Sequence, residues 1–158
     1  MKRHIVMLAA AVVFSACSGG GGHDTSTTQE TVGIGSATGT AGSQVTVPVT
    51  LTKTAPNVAV IAPVVIEFDP ATLAFDKCAS KVSGKSVDAM SPAPGRVSFV
   101  LSGGMSAIPA GPIADCTFTI SQSAAHGVSQ ITFVRGGVAD LDLHDMAATG
   151  TNGSVTIR

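Results

Sequence analysis

A short acidic run near the end of the chain holds the residues with the most evident chemistry. Residues 140–145 read Asp-Leu-Asp-Leu-His-Asp, so carboxylates recur two and three residues apart. Ca²⁺ takes about six to eight oxygen ligands, which makes Asp140, Asp142 and Asp145 weak candidates for a metal site. The alternation also fits a strand that turns Asp140, Asp142 and His144 towards water and the leucines towards the core. We favour the strand and predict no metal site.

The chain does not bring together the groups that catalysis needs. His126 lies in a predicted turn, Ala-Ala-His-Gly, where a solvated histidine is more common than a general base. The sequence has no Gly-x-Ser-x-Gly nucleophile elbow and no His-Glu-x-x-His zinc motif. We therefore predict that the protein is not an enzyme and uses no cofactor.

The first residues have the pattern of a targeting segment. Lys2 and Arg3 precede an apolar run over residues 5–14 that is too short to span a bilayer. Residues 14–17, Phe-Ser-Ala-Cys, resemble the lipobox of bacterial lipoproteins. This resemblance implies that Cys17 is lipidated.

These features divide the chain into three predicted parts. They are a lipoprotein signal peptide (residues 1–16), a tether rich in glycine, serine and threonine (residues 17–30), and one folded domain (residues 31–158). The protein is expected to be exported and lipid-anchored to the bacterial outer membrane or cell surface, with the N-terminal lipid as its only membrane contact. Loss of residues 1–16 removes two of the nine basic side chains and none of the ten acidic ones. That balance argues against a nucleic-acid partner.

Once Cys17 is assigned to lipid, Cys78 and Cys116 remain as a pair. In an exported, oxidising compartment the simplest account of such a pair is a structural disulfide. Neither cysteine lies in a Cys-x-x-Cys motif, so a zinc site is not favoured. If Leu73 and Phe75 face the core, Cys78 falls on the opposite face of the same strand unless a β-bulge intervenes.

From residue 31 onward the hydrophobic pattern is that of strands, without a helical period. Nine candidate strands are separated by clusters of glycine, proline and serine, which indicates a sandwich. Val58–Phe68 is read as the central strand, because apolar residues fill both of its alternating sets and Asp69-Pro70 ends it. The nine are Thr31–Ser36, Gln44–Leu51, Val58–Phe68, Leu73–Cys78, Ser86–Ala89, Arg96–Leu101, Ile113–Ile120, Val128–Val134 and Gly150–Ile157.

Several motifs, taken in order, resemble those of cohesin domains. They are a Gly-rich turn and V-x-V-P-V strand (35–49), Ile-Glu-Phe-Asp-Pro (66–70), Leu-Ala-Phe (73–75), residues 111–118, and the closing residues 152–157. The resemblance covers residues 31–158 and implies an all-β fold, a nine-stranded jelly-roll β-sandwich related to carbohydrate-binding modules. In that topology the first and last strands are adjacent. The strands that carry Cys78 and Cys116 are neighbours there too, which supports the disulfide.

The resemblance also implies a function. Cohesins receive a dockerin on the face built from their third, fifth, sixth and eighth strands, which here are Val58–Phe68, Ser86–Ala89, Arg96–Leu101 and Val128–Val134. We therefore predict a non-catalytic binding module on which a dockerin-like protein partner docks noncovalently. The residues predicted to face outward there, or to lie at the rim, are Asn57, Ser86, Asp88, Arg96, Ser98, Val100, Ser129, Thr132 and Arg135.

Two alternatives stay open. The first is a carbohydrate-binding module of the same fold, linked to polysaccharide breakdown. Against it, the chain has no tryptophan or tyrosine, and its six phenylalanines are predicted to lie in the signal peptide or the core. Sugars are commonly stacked on exposed aromatic rings, which this composition does not supply. The second alternative is an assembly component that pairs through exposed strand edges.

Overall fold

The computed structural model describes residues 29–53 and 55–158, where the regular elements are all strands. That part of the chain therefore contains no helix long and apolar enough to cross a membrane. In chain order the strands are β1 (Glu30–Ile34), β2 (Ser36–Gly39), β3 (Gln44–Thr52), β4 (Val58–Phe68), β5 (Leu73–Ser80), β6 (Ser86–Ala93), β7 (Arg96–Ser102), β8 (Gly111–Ile120), β9 (Gly127–Arg135), β10 (Gly137–Asp140), β11 (Asp145–Thr151) and β12 (Gly153–Ile157).

The strands form two sheets that enclose one core. Sheet A has the order β11-β1-β3-β8-β5. Sheet B has the order β6-β7-β4-β9-β12-β2, and β10 pairs with the first part of β4. Strand β11 pairs with β1 on one side and with β10 on the other, so it joins the two sheets along one border. The all-β sandwich expected from the sequence is confirmed.

The core is built from the inward half of each alternating strand. In β3 every second residue from Val45 to Leu51 is apolar and buried, whereas Gln44 and Thr46, which alternate with them, are exposed. Sheet B supplies Phe99 on β7, which is 0% exposed. Full burial of a large apolar side chain contributes about 1.5–3 kcal/mol. These alternating faces therefore supply the main force that holds the sheets together.

Strand β4 is central, as predicted, but only part of its outer face is buried. Its inward residues include Val64 and Ile66, which are almost fully inaccessible. On the outer face Val65 is only 2% exposed, whereas Glu67 and Pro63 are exposed. Of these three outward residues, only Val65 is buried as predicted. Other side chains cover the sheet at that position.

Cys78 and Cys116 form the expected disulfide. They are directly opposite each other on the neighbouring strands β5 and β8. The pairing between these strands shifts register between Phe75 and Lys77, which places the β-bulge before Cys78. The bulge resolves the conflict of parity seen in the sequence, because it returns Cys78 to the face of Leu73. The disulfide thereby ties β5, at the edge of sheet A, to its neighbour β8.

The strand count differs from the prediction at the border where the sheets meet. The first predicted strand is two strands, since the chain leaves sheet A for sheet B at Gly35. A Cβ on Gly35 would lie 2.9 Å from the carbonyl oxygen of Pro48, so this close crossing requires glycine. The last predicted strand contains the end of β11 and all of β12. Strand β10 was missed because it has only four residues and begins beside Gly136-Gly137.

The first and last strands are adjacent, as the resemblance implied. Strand β1 runs parallel to β11, and β2 runs parallel to β12. The folded domain begins one residue before the predicted boundary, because Glu30 lies in β1 and is fully buried. Its carboxylate accepts a hydrogen bond from the backbone N–H of Ala55 at 2.8 Å. Residues 1–28, which include the predicted signal peptide, Cys17 and most of the tether, lie outside the described residues.

Candidate docking face

The strands that were expected to carry the docking face lie side by side. In sheet B the order β6-β7-β4-β9 is continuous, with hydrogen-bonded pairing at each step. Side chains that point away from the core on these strands therefore share one surface, which we call the docking face. The register shows which of these residues are neighbours across strands. Ser98 lies opposite both Val65 and Met90, and Arg96 lies opposite Glu67.

Most of the predicted residues lie on this surface. Arg96, Ser98 and Val100 point outward from β7 and are half-buried, and Thr132 is exposed on β9. The remaining exposed residues of the face are Ser86 and Asp88 on β6 and Arg135 at the end of β9. Asn57 is exposed too, but its carbonyl accepts a hydrogen bond from Leu141 N–H, which places it beside the β10–β11 turn.

Ser129 was wrongly placed on the docking face. It is only 7% exposed, and its hydroxyl is 2.8 Å from that of Thr72. It alternates with Ile131, which is 0% exposed, so it points towards the core. Ser129 and Thr132 are three residues apart and must face opposite sides of a regular strand. The outward residues of this part of β9 are Val128, Gln130 and Thr132.

A hollow of about 400 Å³ lies on the docking face around Val65. Val65 is nearly inaccessible although it points away from the core, because longer side chains from the neighbouring strands surround it. We call this depression the basic hollow. Its lining residues are Val65, Met90, Pro92, Ala93, Arg96, Ser98 and Arg135. Val65 and Met90 were not among the predicted residues. Val65 could have been found from the sequence, because it is apolar and alternates in step with the outward-facing Glu67.

One ion pair crosses the docking face beside the basic hollow. Nε of Arg96 is 3.3 Å from Oε1 of Glu67, and the two side chains are 43% and 50% exposed. Thr132 is the partner of Glu67 on the opposite strand. Exposed ion pairs contribute only about 0–1 kcal/mol, so this one orients its groups more than it stabilises the fold.

A second hollow, of about 470 Å³, lies on the other side of that ion pair. It is formed where β4 ends and β9 begins, and Glu67, Asp69, His126 and Thr132 contribute to its lining. Asp69 also shapes the turn after β4, because its carboxylate accepts the N–H of Ala71 at 2.9 Å. We call this depression the acidic hollow, since its lining includes two carboxylates and no lysine or arginine.

The acidic run at residues 140–145 is a turn and not the strand that we predicted. The carboxylate of Asp140 accepts the backbone N–H groups of Asp142 and His144, each at 2.9 Å. The bond from His144 N–H is the largest cause of a lowered pKa for Asp140. Leu143, expected in the core, is 77% exposed, and Leu141 is 42% exposed. Asp140 therefore serves to close the turn between β10 and β11.

The metal candidates are only partly brought together. Ligand atoms of Asp140, Asp142 and His144 lie within 4.8 Å of one another, whereas Asp145 is not in the group. Nδ1 of His144 is 3.1 Å from Asp140, so these two side chains already pair with each other. The grouping is accounted for by the turn, and we assign no metal to it.

The phenylalanines of the described residues pack in or against the core. Phe99 and Phe118 are 0% exposed and Phe68 is 9% exposed. Phe75 and Phe133 are half-buried and pack against the same cluster. None of these rings forms an open platform on which a sugar could stack.

Comparisons with known proteins identify one family. A family model described as the cohesin domain matches residues 31–157. No protein with a curated description matches the chain. Among solved structures, the sixth cohesin of scaffoldin B from Acetivibrio cellulolyticus, in complex with a dockerin, has a TM-score of 0.71 at 19% identity, covering 83% of this chain and 100% of that one.

Two further structures show the range of the likeness. A type I cohesin from Clostridium thermocellum, in complex with the dockerin Doc918, has a TM-score of 0.70 at 18% identity, covering 82% of this chain and 99% of that one. A non-cellulosomal cohesin from the archaeon Archaeoglobus fulgidus has a TM-score of 0.68 at 17% identity, covering 82% and 91%. At these identities the structures show the shared fold. Because the family model spans nearly the whole described domain, the chain belongs to the cohesin domain family.

Proposed function

We propose that this protein is a non-catalytic docking module that binds a dockerin-type partner protein noncovalently on the docking face. The observation that carries this function is the uninterrupted order β6-β7-β4-β9, which presents one broad surface with a preformed hollow at its centre. Preformed surfaces bind with little loss of conformational entropy. No cofactor is needed, because recognition rests on apolar contact and hydrogen bonds.

The side chains of the docking face suit a protein partner. Ser98, Thr132 and Arg135 offer hydroxyl and guanidinium groups, and Met90, 66% exposed, offers a flexible apolar contact. Interfaces typically combine an apolar centre with a polar rim, and arginine and methionine are enriched in them. A carbohydrate ligand is less well supported, since the described phenylalanines lie in or against the core.

We further propose that the module is exported and held at a bacterial outer membrane or cell surface by lipid on Cys17. The motif at residues 14–17 supports the anchor, and the tether after it would let the domain extend from the membrane. The disulfide between Cys78 and Cys116 is in keeping with an oxidising compartment. Mass spectrometry of the native protein should find the acyl chains on Cys17, and Cys17→Ser should release the protein from the membrane fraction.

The docking function is tested by capture followed by direct binding. The full chain carrying Cys17→Ser serves as bait in an extract of the native organism, with and without calcium. Recovery of a dockerin-bearing protein, and saturable binding of that protein once purified, would support the proposal. If no dockerin-bearing protein binds and the chain instead adheres to an insoluble polysaccharide, the carbohydrate-binding alternative takes its place.

A further inference from the structure

The hollow on the docking face and the second hollow, at its border where β4 ends and β9 begins, carry opposite charge. The basic hollow is lined by Arg96 and Arg135 and by no carboxylate. The acidic hollow is lined by Glu67 and Asp69 and by no lysine or arginine. The ion pair between Arg96 and Glu67 stands between them, so each partner of that pair lines one hollow. Along the strands the surface is therefore positively charged at one end and negatively charged at the other.

The basic hollow fits a side chain or segment that combines an apolar body with a carboxylate. Val65 forms a buried apolar floor, and Met90 and Ala93 add apolar walls. Arg96 is engaged by Glu67, whereas Arg135 makes no ion pair within the described residues. An arginine of this kind binds carboxylates well, because its planar fork donates two parallel hydrogen bonds.

The acidic hollow fits a cation. Glu67 presents a carboxylate from β4, and Asp69 adds a second one from the turn that follows. Gln130 and Thr132, both exposed, add groups that can accept hydrogen bonds from an ammonium or guanidinium group. A lysine or arginine of a partner would find opposite charge and hydrogen-bond acceptors together here.

The separation of the hollows sets a spacing for the partner. Arg135 lies opposite Val65 on β4, so the carboxylates of Glu67 and Asp69 come two and four residues further along the chain. At a rise of about 3.4 Å per residue, Glu67 lies roughly 7 Å and Asp69 at most about 14 Å from the level of Arg135. A partner must therefore present its two charged groups roughly 7–14 Å apart and in one order.

Building on the proposed function, we propose that the docking face selects its partner by charge polarity. The partner carries an acidic residue beside an apolar one for the basic hollow, and a basic residue roughly 7–14 Å away for the acidic hollow. Asp88, the other carboxylate on these strands, lines neither hollow and does not change this order. Partners with the reverse order would meet like charges at both ends, and such repulsion is an effective source of specificity.

A pair of small probes of equal shape and opposite charge tests this inference without any knowledge of the partner. The probes are 4-methylpentanoate and 4-methylpentylamine, titrated at neutral pH into the isotopically labelled full chain carrying Cys17→Ser. The carboxylate should shift the backbone amide signals of Val65, Ser98 and Arg135. The amine should instead shift those of Gln130 and Thr132.

Variants in each hollow give the matched controls. Arg135→Gln should weaken the carboxylate probe about twofold to fivefold and leave the amine probe unchanged. Glu67→Gln should weaken the amine probe by a similar factor and not weaken the carboxylate probe. Arg158→Gln, which removes an exposed arginine beyond β12, should alter neither.

The inference is overturned if both probes shift the same residues, if neither gives a saturable shift, or if the variants affect both probes alike. Its failure is distinguishable from failure of the docking function. If a dockerin-bearing protein binds while the probes show no charge preference, the inference is wrong and the docking function stands. Probes that bind as expected while no dockerin-bearing protein is captured would count against the docking function alone.

Discussion

The outward faces of the two sheets are both polar, yet they use their polar groups differently. On sheet A several of those groups bond to one another. Asp76 accepts hydrogen bonds from Thr119 at 2.8 Å and from Gln44 at 3.2 Å. Lys81 pairs with Asp115 at 3.1 Å. These outward groups of sheet A are thus already paired with neighbouring side chains.

On sheet B many of the outward groups have no protein partner. Within residues 29–53 and 55–158, the side chains of Ser98, Thr132 and Arg135 make no hydrogen bond or ion pair. Such groups are held by water and can exchange it for a partner at little cost, since a hydrogen bond on binding replaces one to water. The two faces therefore differ as binding surfaces, because these groups of sheet B remain available to a partner, whereas Asp76 and Asp115 of sheet A are already paired.

The largest expected effect breaks sheet A and leaves the docking face intact. Replacing both cysteines, Cys78→Ala with Cys116→Ala, opens a loop with a sequence separation of 38 residues. The free energy of unfolding should fall by about 3–4 kcal/mol, as the unfolded chain gains conformational freedom. Urea unfolding measures the loss. A fall below about 1 kcal/mol would mean that edge strand β5 does not depend on the disulfide.

Blocking sheet B should abolish docking, whereas the same change on sheet A should not. Ser98→Arg places a long side chain over the floor of the basic hollow, and the affinity for a dockerin-bearing partner should fall at least about 30-fold. The matched control is Thr117→Arg, at a half-buried outward position on β8 of sheet A. Calorimetric titration compares the two. Equal affinities for Ser98→Arg and the unmodified chain would move docking away from this face.

A smaller effect tests the side-chain network itself. Asp76→Ala removes the acceptor for two hydrogen bonds on sheet A and should lower the free energy of unfolding by about 1 kcal/mol. Thr132→Val on sheet B breaks no side-chain hydrogen bond and should change it by less than about 0.5 kcal/mol. Chemical denaturation of both variants checks this difference. Similar losses in the two variants would contradict the contrast drawn between the faces.

The smallest effect belongs to the turn between β10 and β11, outside both faces. Because the pKa of Asp140 is lowered in the folded protein, its contribution is complete above the ordinary aspartate pKa. It is lost as the pH falls through the lowered value, when the carboxyl protonates and the N–H groups of Asp142 and His144 lose their charged acceptor. Amide exchange at His144 should then accelerate. Asp140→Asn should remove this pH dependence, and Asp145→Asn should leave it unchanged.

The core strands could be predicted from the sequence because alternating or continuous apolar residues indicate which positions are buried. Alternation in residues 44–51 identified β3, and the long apolar run identified β4. The motif order then implied that the strands carrying Cys78 and Cys116 are neighbours, as they are. Each of these inferences needed only residues close in sequence or the order of known motifs.

The predictions that failed have different causes. Ser129 could have been placed correctly from the sequence, because it shares the alternating set of Ile131 and Thr132 belongs to the other set. The basic hollow was missed because Val65 reads as a core residue until Met90 and the arginines are placed around it. Residues 140–145 alternate like a strand, and only the bonds that the Asp140 carboxylate accepts distinguish the turn.

The parallel pairing of the outermost strands has a mechanical consequence. Glu30 lies beside Ala148 at one end of the sandwich, and Arg158 donates its N–H to the carbonyl of Gly39 at the other. A pull on residues 30 and 158 in opposite directions therefore runs along β1, β11, β2 and β12 and not across them. Hydrogen bonds between strands lie across that direction and share the load side by side. Under tension these ladders must break together, so the domain yields in shear and does not unzip bond by bond.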